Sequence, residues 1–218
     1  MRYLVIDTET SGLIQYRDLA GNTIRSDDPS QPHLAQLAMI RVSADLTIED
    51  EFSGYIRPEH WEMDAEATRV NGLTTEFLAE HGLPVGEVLD RFTRAILEEG
   101  RIGAAFNAQF DFRAVRGALR RAGHDDLFEK TPQTCLMRGM GAFNKATGGS
   151  GKWPSLEDVL HQIGYEREGA AHDALSDARA AVAVLRFLHE HDALIPPKVH
   201  YARALPAGDD AALKAAAK

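Results

Sequence analysis

Asp7-Thr8-Glu9-Thr10 closes the first apolar run of the chain, Tyr3-Leu4-Val5-Ile6. A short, partly β-branched run of this kind predicts a buried strand. Side chains alternate across a strand, so Asp7 and Glu9 share a face, with Cα atoms about 6.6 Å apart. Two acids at the end of a buried strand are unfavourable unless something compensates their charge. Mg²⁺ does so directly, because it takes a few hard carboxylate oxygens and keeps several waters. Taken alone, the stretch fits a solvated strand end better than a metal site, since a lone D-x-E is a loose signal.

Two further clusters change that balance. Asn107-Ala108-Gln109-Phe110-Asp111-Phe112 opens a helix and puts Asp111 in its first turns. The helix dipole favours an anion there, and simple N-terminal charge bias explains the acid equally well. His172-Asp173-Ala174-Leu175-Ser176-Asp177 opens another helix. Asp173 and Asp177 are four apart and would share a helix face. Asp173, however, has the chemistry of an N-cap. A helix that starts there leaves His172 in the loop, able to turn back over the first turn, where Asp177 sits. Ala174 is too small to block it. A plain surface histidine is the competing explanation.

The elements that must bring these clusters together follow from periodicity and punctuation. Strands are predicted over residues 3–6, 34–42, 46–56 and 101–106, and residues 131–138 are ambiguous, with a strand the closer fit. Helices are predicted over 64–70, 74–80, 85–98, 108–122, 155–163 and 174–189, the last with Leu175, Ala178, Val182, Leu185 and Leu188 on a core stripe. Residues 14–32 form a long polar connection with a small hairpin around Gly21-Asn22. After Pro196-Pro197 the apolar pattern fades, which gives a domain over 1–195 and a peripheral or disordered tail over 196–218. Strands followed by alternating helices and strands imply an α/β fold, a mixed sheet flanked by helices.

Together the clusters resemble the DEDDh 3′→5′ exonucleases of the DnaQ-like, ribonuclease H-like superfamily. D-x-E-T-x-G is matched by Asp7-Thr8-Glu9-Thr10-Ser11-Gly12, and H-x-A-x-x-D by His172 to Asp177. The usual H-N-x-x-F-D reads Phe106-Asn107-Ala108-Gln109-Phe110-Asp111, with its leading histidine replaced. Val70-Asn71-Gly72-Leu73-Thr74 resembles a family turn in which Asn71 replaces histidine, and Lys152-Trp153-Pro154-Ser155-Leu156 resembles a segment before the third motif. Each motif is loose alone, but the ordered set is specific and covers about residues 1–190.

The resemblance implies a ribonuclease H-like mixed five-stranded sheet and hydrolysis of phosphodiesters by two Mg²⁺ ions, with Mn²⁺ able to substitute. Such ions stand about 3.5–4 Å apart and stabilise both oxygens of an in-line displacement. Asp7, Glu9, Asp111 and Asp177 are then the metal ligands. His172 is the general base, a task suited to an unperturbed pKa near about 6.5. The substrate is the 3′ end of a single strand, shortened to nucleoside 5′-monophosphates. Thr8, Thr10, Leu13, Asn71 and Asn107 are the substrate-contact candidates, Leu13 as a wedge against the last base. Asn107 and Phe110 also support the Asp111 turn. DNA is favoured over RNA by the likeness to proofreading relatives, and a DNA polymerase is a candidate partner.

The bulk composition limits how such a substrate is held. Lys and Arg number 24 and Asp and Glu 33, a net charge of −9. An acidic chain repels phosphate at long range, so contact is expected at an end or a metal site rather than along a basic groove. A single cysteine, Cys135, excludes an internal disulfide or a multi-cysteine zinc site. Neither a signal peptide nor a membrane span is legible at the amino terminus, so a cytoplasmic location is the default. Gly148-Gly149-Ser150-Gly151-Lys152 is no phosphate loop, because Ala146 stands where the first glycine belongs and Trp153 follows the lysine. The rival functions are an RNA-directed enzyme, a catalytically weak nucleic-acid or polymerase docking module, and a one-metal phosphatase. The full set of four acids and a histidine argues for an active nuclease, since a binding module has no need of mutually repelling carboxylates.

Overall fold

The computed structural model describes residues 1–124 and 131–199. Five strands form one sheet in the order β3-β2-β1-β4-β5. They are β1 (Tyr3–Thr10), β2 (Leu34–Val42), β3 (Ile48–Tyr55), β4 (Ile102–Ala105) and β5 (Gln133–Cys135). β2 runs antiparallel to β1 and β3, while β4 and β5 run parallel to β1 and to each other. The sheet is therefore mixed, as expected. β1 is its central strand, and the alternation of its side chains decides where the acids go. Tyr3 and Val5 join one core, with Ala178, Val182 and Leu185 of α7 (Ala174–Glu190). Leu4 and Ile6 join the other, with Phe112, Val115 and Leu119 of α4 (Ala108–Arg121). The odd-numbered acids Asp7 and Glu9 thus follow the face that α7 covers, and Thr8 and Thr10 the face that α4 covers.

Three shorter helices, α1 (Ala65–Asn71), α2 (Thr75–His81) and α3 (Val85–Thr93), lie between β3 and β4, and α6 (Leu156–Ile163) precedes α7. Their starts are capped by side chains: Asp64 and Thr74 accept backbone N–H bonds, and Ser155 with Asp158 forms a capping box. The stripe on α7 is buried at Ala178, Val182, Leu185 and Leu188. Ala174, Ala180, Ala181 and Val184 are buried too, so the helix is enclosed on more than one side. Its alanines carry too little bulk to hold it off the sheet.

Three expectations need correction. Residues 131–138 are not a single strand: β5 ends at Cys135 and α5 (Leu136–Ala146) begins at once. Gly139 and Gly141 lower the helix propensity of that segment and hide it from sequence. They also let α5 pack closely, since a Cβ at Gly139 would stand 2.8 Å from Leu188 Cδ1. The helix expected over 85–98 is α3 followed by a π-helical turn, Arg94–Glu98. The strand expected from residue 46 starts at Ile48, because Leu46 sits in the turn with a φ of 65°. The tail lies outside the described residues from residue 200 onward.

The 14–32 connection is a layer pinned on α4. Its hairpin is present, with Arg17 paired to Thr23 and Gly21 at a φ of 85°. Arginines of α4 then hold it by its carbonyls. Arg121 donates to Pro32, Asp28 and Gln31 oxygens at 3.0, 3.1 and 2.9 Å. Arg113 donates to the Gln15 oxygen at 3.2 Å and to that of Ile24. Gly117 of α4 lies directly under Ser26, whose carbonyl oxygen any Cβ there would strike. Gly117→Ala should therefore lower stability, although alanine is the better helix former by about 1 kcal/mol. Limited proteolysis should show cleavage within residues 14–32 speeding up in the variant. A more stable variant with unchanged cleavage would show that the layer is not packed on α4.

Candidate active site

β1, the start of α4, the start of α7 and the turns beside them open on one cleft of about 620 Å³. Asp7, Glu9, Asp111, His172 and Asp177 line it, as do Thr8, Thr10, Leu13, Asn71 and Asn107. All ten residues singled out from sequence thus meet at one place, though they differ in what they touch.

Asp111 is 3% exposed, and its Oδ1 accepts from the Thr8 backbone N–H at 3.0 Å and from the Thr8 hydroxyl at 2.9 Å. The β1–β4 ladder pairs residues only as far as Val5 with Ala104. Beyond that point Thr8 lacks a strand neighbour on this side, and Asp111 satisfies its N–H instead. The Asn107 carbonyl accepts from Phe110 and Asp111 at 2.8 and 3.3 Å, which sets the turn. The Thr10 hydroxyl donates to the Gly12 oxygen at 2.8 Å. Both threonine hydroxyls therefore have partners within the protein. Asn71 donates to Glu9 Oε2 at 3.4 Å and to the Thr10 oxygen at 3.5 Å, so it orients a carboxylate. Leu13, by contrast, is 82% exposed.

At the third cluster, Asp173 is the N-cap of α7 and accepts from Ser176 N–H at 3.0 Å. His172 lies just outside the helix with a φ of 61°, an uncommon conformation for a residue with a side chain. Asp177 points into the cleft from the first turn.

Two residues that hold the site together went unseen in sequence. Gln36 on β2 is 1% exposed and stands opposite Glu9 in the β1–β2 register. It accepts from Ala174 N–H at 3.3 Å and donates to Asp173 Oδ2 at 3.2 Å, so it fixes the start of α7 and the histidine before it. The signal was a lone amide inside the apolar run Leu34-Ala35-Gln36-Leu37-Ala38. The second, Arg167, forms ion pairs with Asp177 and Glu157 and is largely buried. No local pattern sets it apart from its charged neighbours.

Burial and mutual repulsion dominate the electrostatics. Asp7 is held well above the usual carboxylate range, first by desolvation and then by Asp111 and Glu9, while Arg167 opposes the shift. Desolvation pushes Glu9 up to about 8 against the pull of Asn71. Desolvation also raises Asp111, against its bonds from Thr8. Donor atoms of Glu9, His172 and Asp177 lie within 4.8 Å of one another. Asp177 Oδ1 is buried against the Arg167 guanidinium. A set of mutually repelling carboxylates with converging oxygen donors fits a hard divalent cation.

The exonuclease family model matches residues 4–185. The chain belongs to this family. No curated protein matches it by sequence. Among solved structures it is similar to E. coli exonuclease I in complex with a dT13 oligonucleotide, with 19% identity and a TM-score of 0.70 over 86% of this chain and 40% of that one. Exonuclease I from Methylocaldum szegediense is 25% identical, with a TM-score of 0.69 over 87% of this chain and 40% of that one. The nuclease domain of 3′hExo, a DEDDh family member bound to rAMP, is 13% identical, with a TM-score of 0.69 over 90% and 96%. The chain therefore spans about two fifths of the exonuclease I chains. These likenesses agree with the ribonuclease H-like mixed five-stranded sheet. No helix among the described residues is long and apolar enough to cross a membrane.

Metal and pH should be linked in a defined direction. A carboxyl whose folded pKa exceeds its unfolded value contributes stability at low pH and loses it as pH rises through the folded value, about 8 for Glu9. Cations bind the deprotonated form. Mg²⁺ or Mn²⁺ should thus raise Tm more at about pH 8.5 than at about pH 6; at about 100 times Kd the gain is about 2.7 kcal/mol, or about 5–11 °C for a chain of this size. Equal gains at both pH values in thermal scans would rule out these acids as the cation site. Arg167→Met should leave Asp177 without its counter-charge. The metal-free variant should be destabilised by about 3–5 kcal/mol, and cation should stabilise it more than the parent. Equal metal-induced increments would show that the arginine and the cation do not compete for Asp177.

Proposed function

We propose that residues 1–195 form a 3′→5′ exonuclease domain that removes nucleoside 5′-monophosphates from single-stranded DNA. The observation that carries this reading is the convergence of Asp7, Glu9, Asp111, Asp177 and His172 on one cleft that is wide enough for a terminal nucleotide. The proposed polarity draws on the likeness to structures of 3′-exonucleases, and the preference for DNA on the dT13 oligonucleotide seated in E. coli exonuclease I.

Asp7, Glu9, Asp111 and Asp177 would hold two divalent cations, Mg²⁺ or Mn²⁺, which supply Lewis-acid stabilisation of charge during an in-line displacement at phosphorus. The chain's own residues do the rest. His172 sits in the loop, exposed on the cleft, where it accepts the proton of the attacking water. That water's oxygen bonds to phosphorus as the bond from phosphorus to the 3′-oxygen of the preceding nucleotide breaks. The freed 3′-oxygen takes up a proton, and the phosphate leaves on the released nucleotide. Gln36 and Asp173 position His172 by fixing the start of α7. Leu13, exposed at the rim, packs against the terminal base. Thr8 and Asn71 act one step back, holding Asp111 and Glu9 in register.

A 5′-labelled single strand incubated with Mg²⁺ or Mn²⁺ should shorten one nucleotide at a time from its 3′ end. Asp7→Ala should abolish this. His172→Ala should lower kcat by about 10²–10⁴ while the metal-induced gain in Tm persists. Full activity in EDTA, or internal cuts alone, would overturn the mechanism, and wild-type turnover by the His172 variant would remove the base. Matched RNA cleaved faster than DNA would reassign the substrate.

A further inference from the structure

Trp153 has no part in the site described above, but it lies three residues before Leu156, which lines the cleft. It is 60% exposed, unusual for so large an apolar side chain. The ring is laid against α5 at Gly141, where an added Cβ would be 3.2 Å from Trp153 Cδ1. The Arg138 guanidinium carbon stands 5.0 Å from the ring centroid. Arg138 also donates to the Gln109 side-chain oxygen at 3.5 Å. Gln109 lies in the first turn of α4, flanked by Asn107, Phe110 and Asp111, which line the cleft. Leu156, three residues beyond Trp153, lines it as well. The indole and its arginine are thus linked to two segments that line the cleft, the start of α4 through Gln109 and the chain entering α6 at Leu156, with exposed Lys152 next in sequence. On a chain of net charge −9, two cations beside an exposed aromatic ring, next to segments that line an acidic cleft, are a local reversal.

We infer that Trp153 and Arg138 form a subsite for the nucleotide on the 5′ side of the terminal one, with its base stacked on the indole and its phosphate facing the guanidinium. The inference rests on the exonuclease reading and extends it. Stacking suits a strand of any sequence, because every base presents a π-face. Arginine next to the ring adds charge where the strand leaves the carboxylates, so a polyanion can be held at its end by an otherwise acidic protein.

Two substrates separate the subsite from the chemistry. The p-nitrophenyl ester of thymidine 5′-monophosphate has no neighbouring nucleotide, whereas a single strand of about ten nucleotides does. In Trp153→Ala, KM for the oligonucleotide should rise about 5- to 150-fold, the range expected for one stacked base. The kcat should change little, and the rise should be confined to the oligonucleotide. Trp153→Phe should recover most of the loss, and Arg138→Gln should weaken the salt dependence of KM. The chain has two tryptophans, so in a Trp61→Phe background Trp153 reports alone. Its fluorescence should be quenched by the oligonucleotide in Ca²⁺. An unquenched signal at saturating oligonucleotide would overturn the subsite, as would an unchanged KM, and would leave the surface to a protein partner. Failure of the parent to hydrolyse either substrate would instead overturn the exonuclease reading. If Trp153→Ala does not fold, quenching and the phenylalanine variant still decide.

Discussion

Four carboxylates held close together in a half-dry cleft repel one another, and the local structure is organised around that repulsion. Desolvation and mutual repulsion drive Asp7 well above the ordinary range, and desolvation takes Glu9 to about 8. A protein gains no stability from such an arrangement without positive charge. Arg167 meets part of the need by its ion pair with Asp177. A divalent cation meets it more completely, because it accepts several carboxylate oxygens at once. The site is thus a place where folding energy has been given up for chemistry, which is the usual signature of function in a perturbed cluster of acids.

The sheet makes the arrangement possible by where its strands stop. β1 is central and fully packed along Leu4, Val5 and Ile6, then outruns β4, so its last residues leave the ladder while still anchored on β2. In the space past β4, Asp111 takes the Thr8 N–H that a strand would have taken. On the opposite face, an alanine-rich helix lies close enough to bring Asp177 over Asp7 and Glu9. Gln36 closes the circuit, since one side chain on β2 joins the strand opposite Glu9 to the cap of α7. Backbone hydrogen bonding, rather than contact between the acids, therefore sets their spacing.

The same economy of charge bears on how a polyanion is held. With 33 acids against 24 cations, the chain has no general attraction for nucleic acid. Two of the arginines on α4, Arg113 and Arg121, are engaged internally, on carbonyls of the 14–32 layer. Arg138, by contrast, lies over the Trp153 ring, with Lys152 next to it in sequence. Under the proposed function, such a charge distribution suits recognition of an end over a grip on the middle of a strand.

The amino-acid sequence by itself determined a good deal. Alternation along Tyr3 to Thr10 dictated that Asp7 and Glu9 share a face, and cap chemistry at Asp173 dictated that His172 lies outside α7. These are local effects, governed by neighbours within a turn or a strand. The α5 helix was not legible, because Gly139 and Gly141 read as breakers until Leu188 and Trp153 are seen packed on them. The same holds for Gln36 and Arg167, whose partners lie 137 residues away at Asp173 and 10 residues away at Asp177 and Glu157. Local propensity fixes the direction in which each acid points. Only the stacking of α4 and α7 on a shared central strand decides that the acids meet, because burial and repulsion act through space and not along the chain.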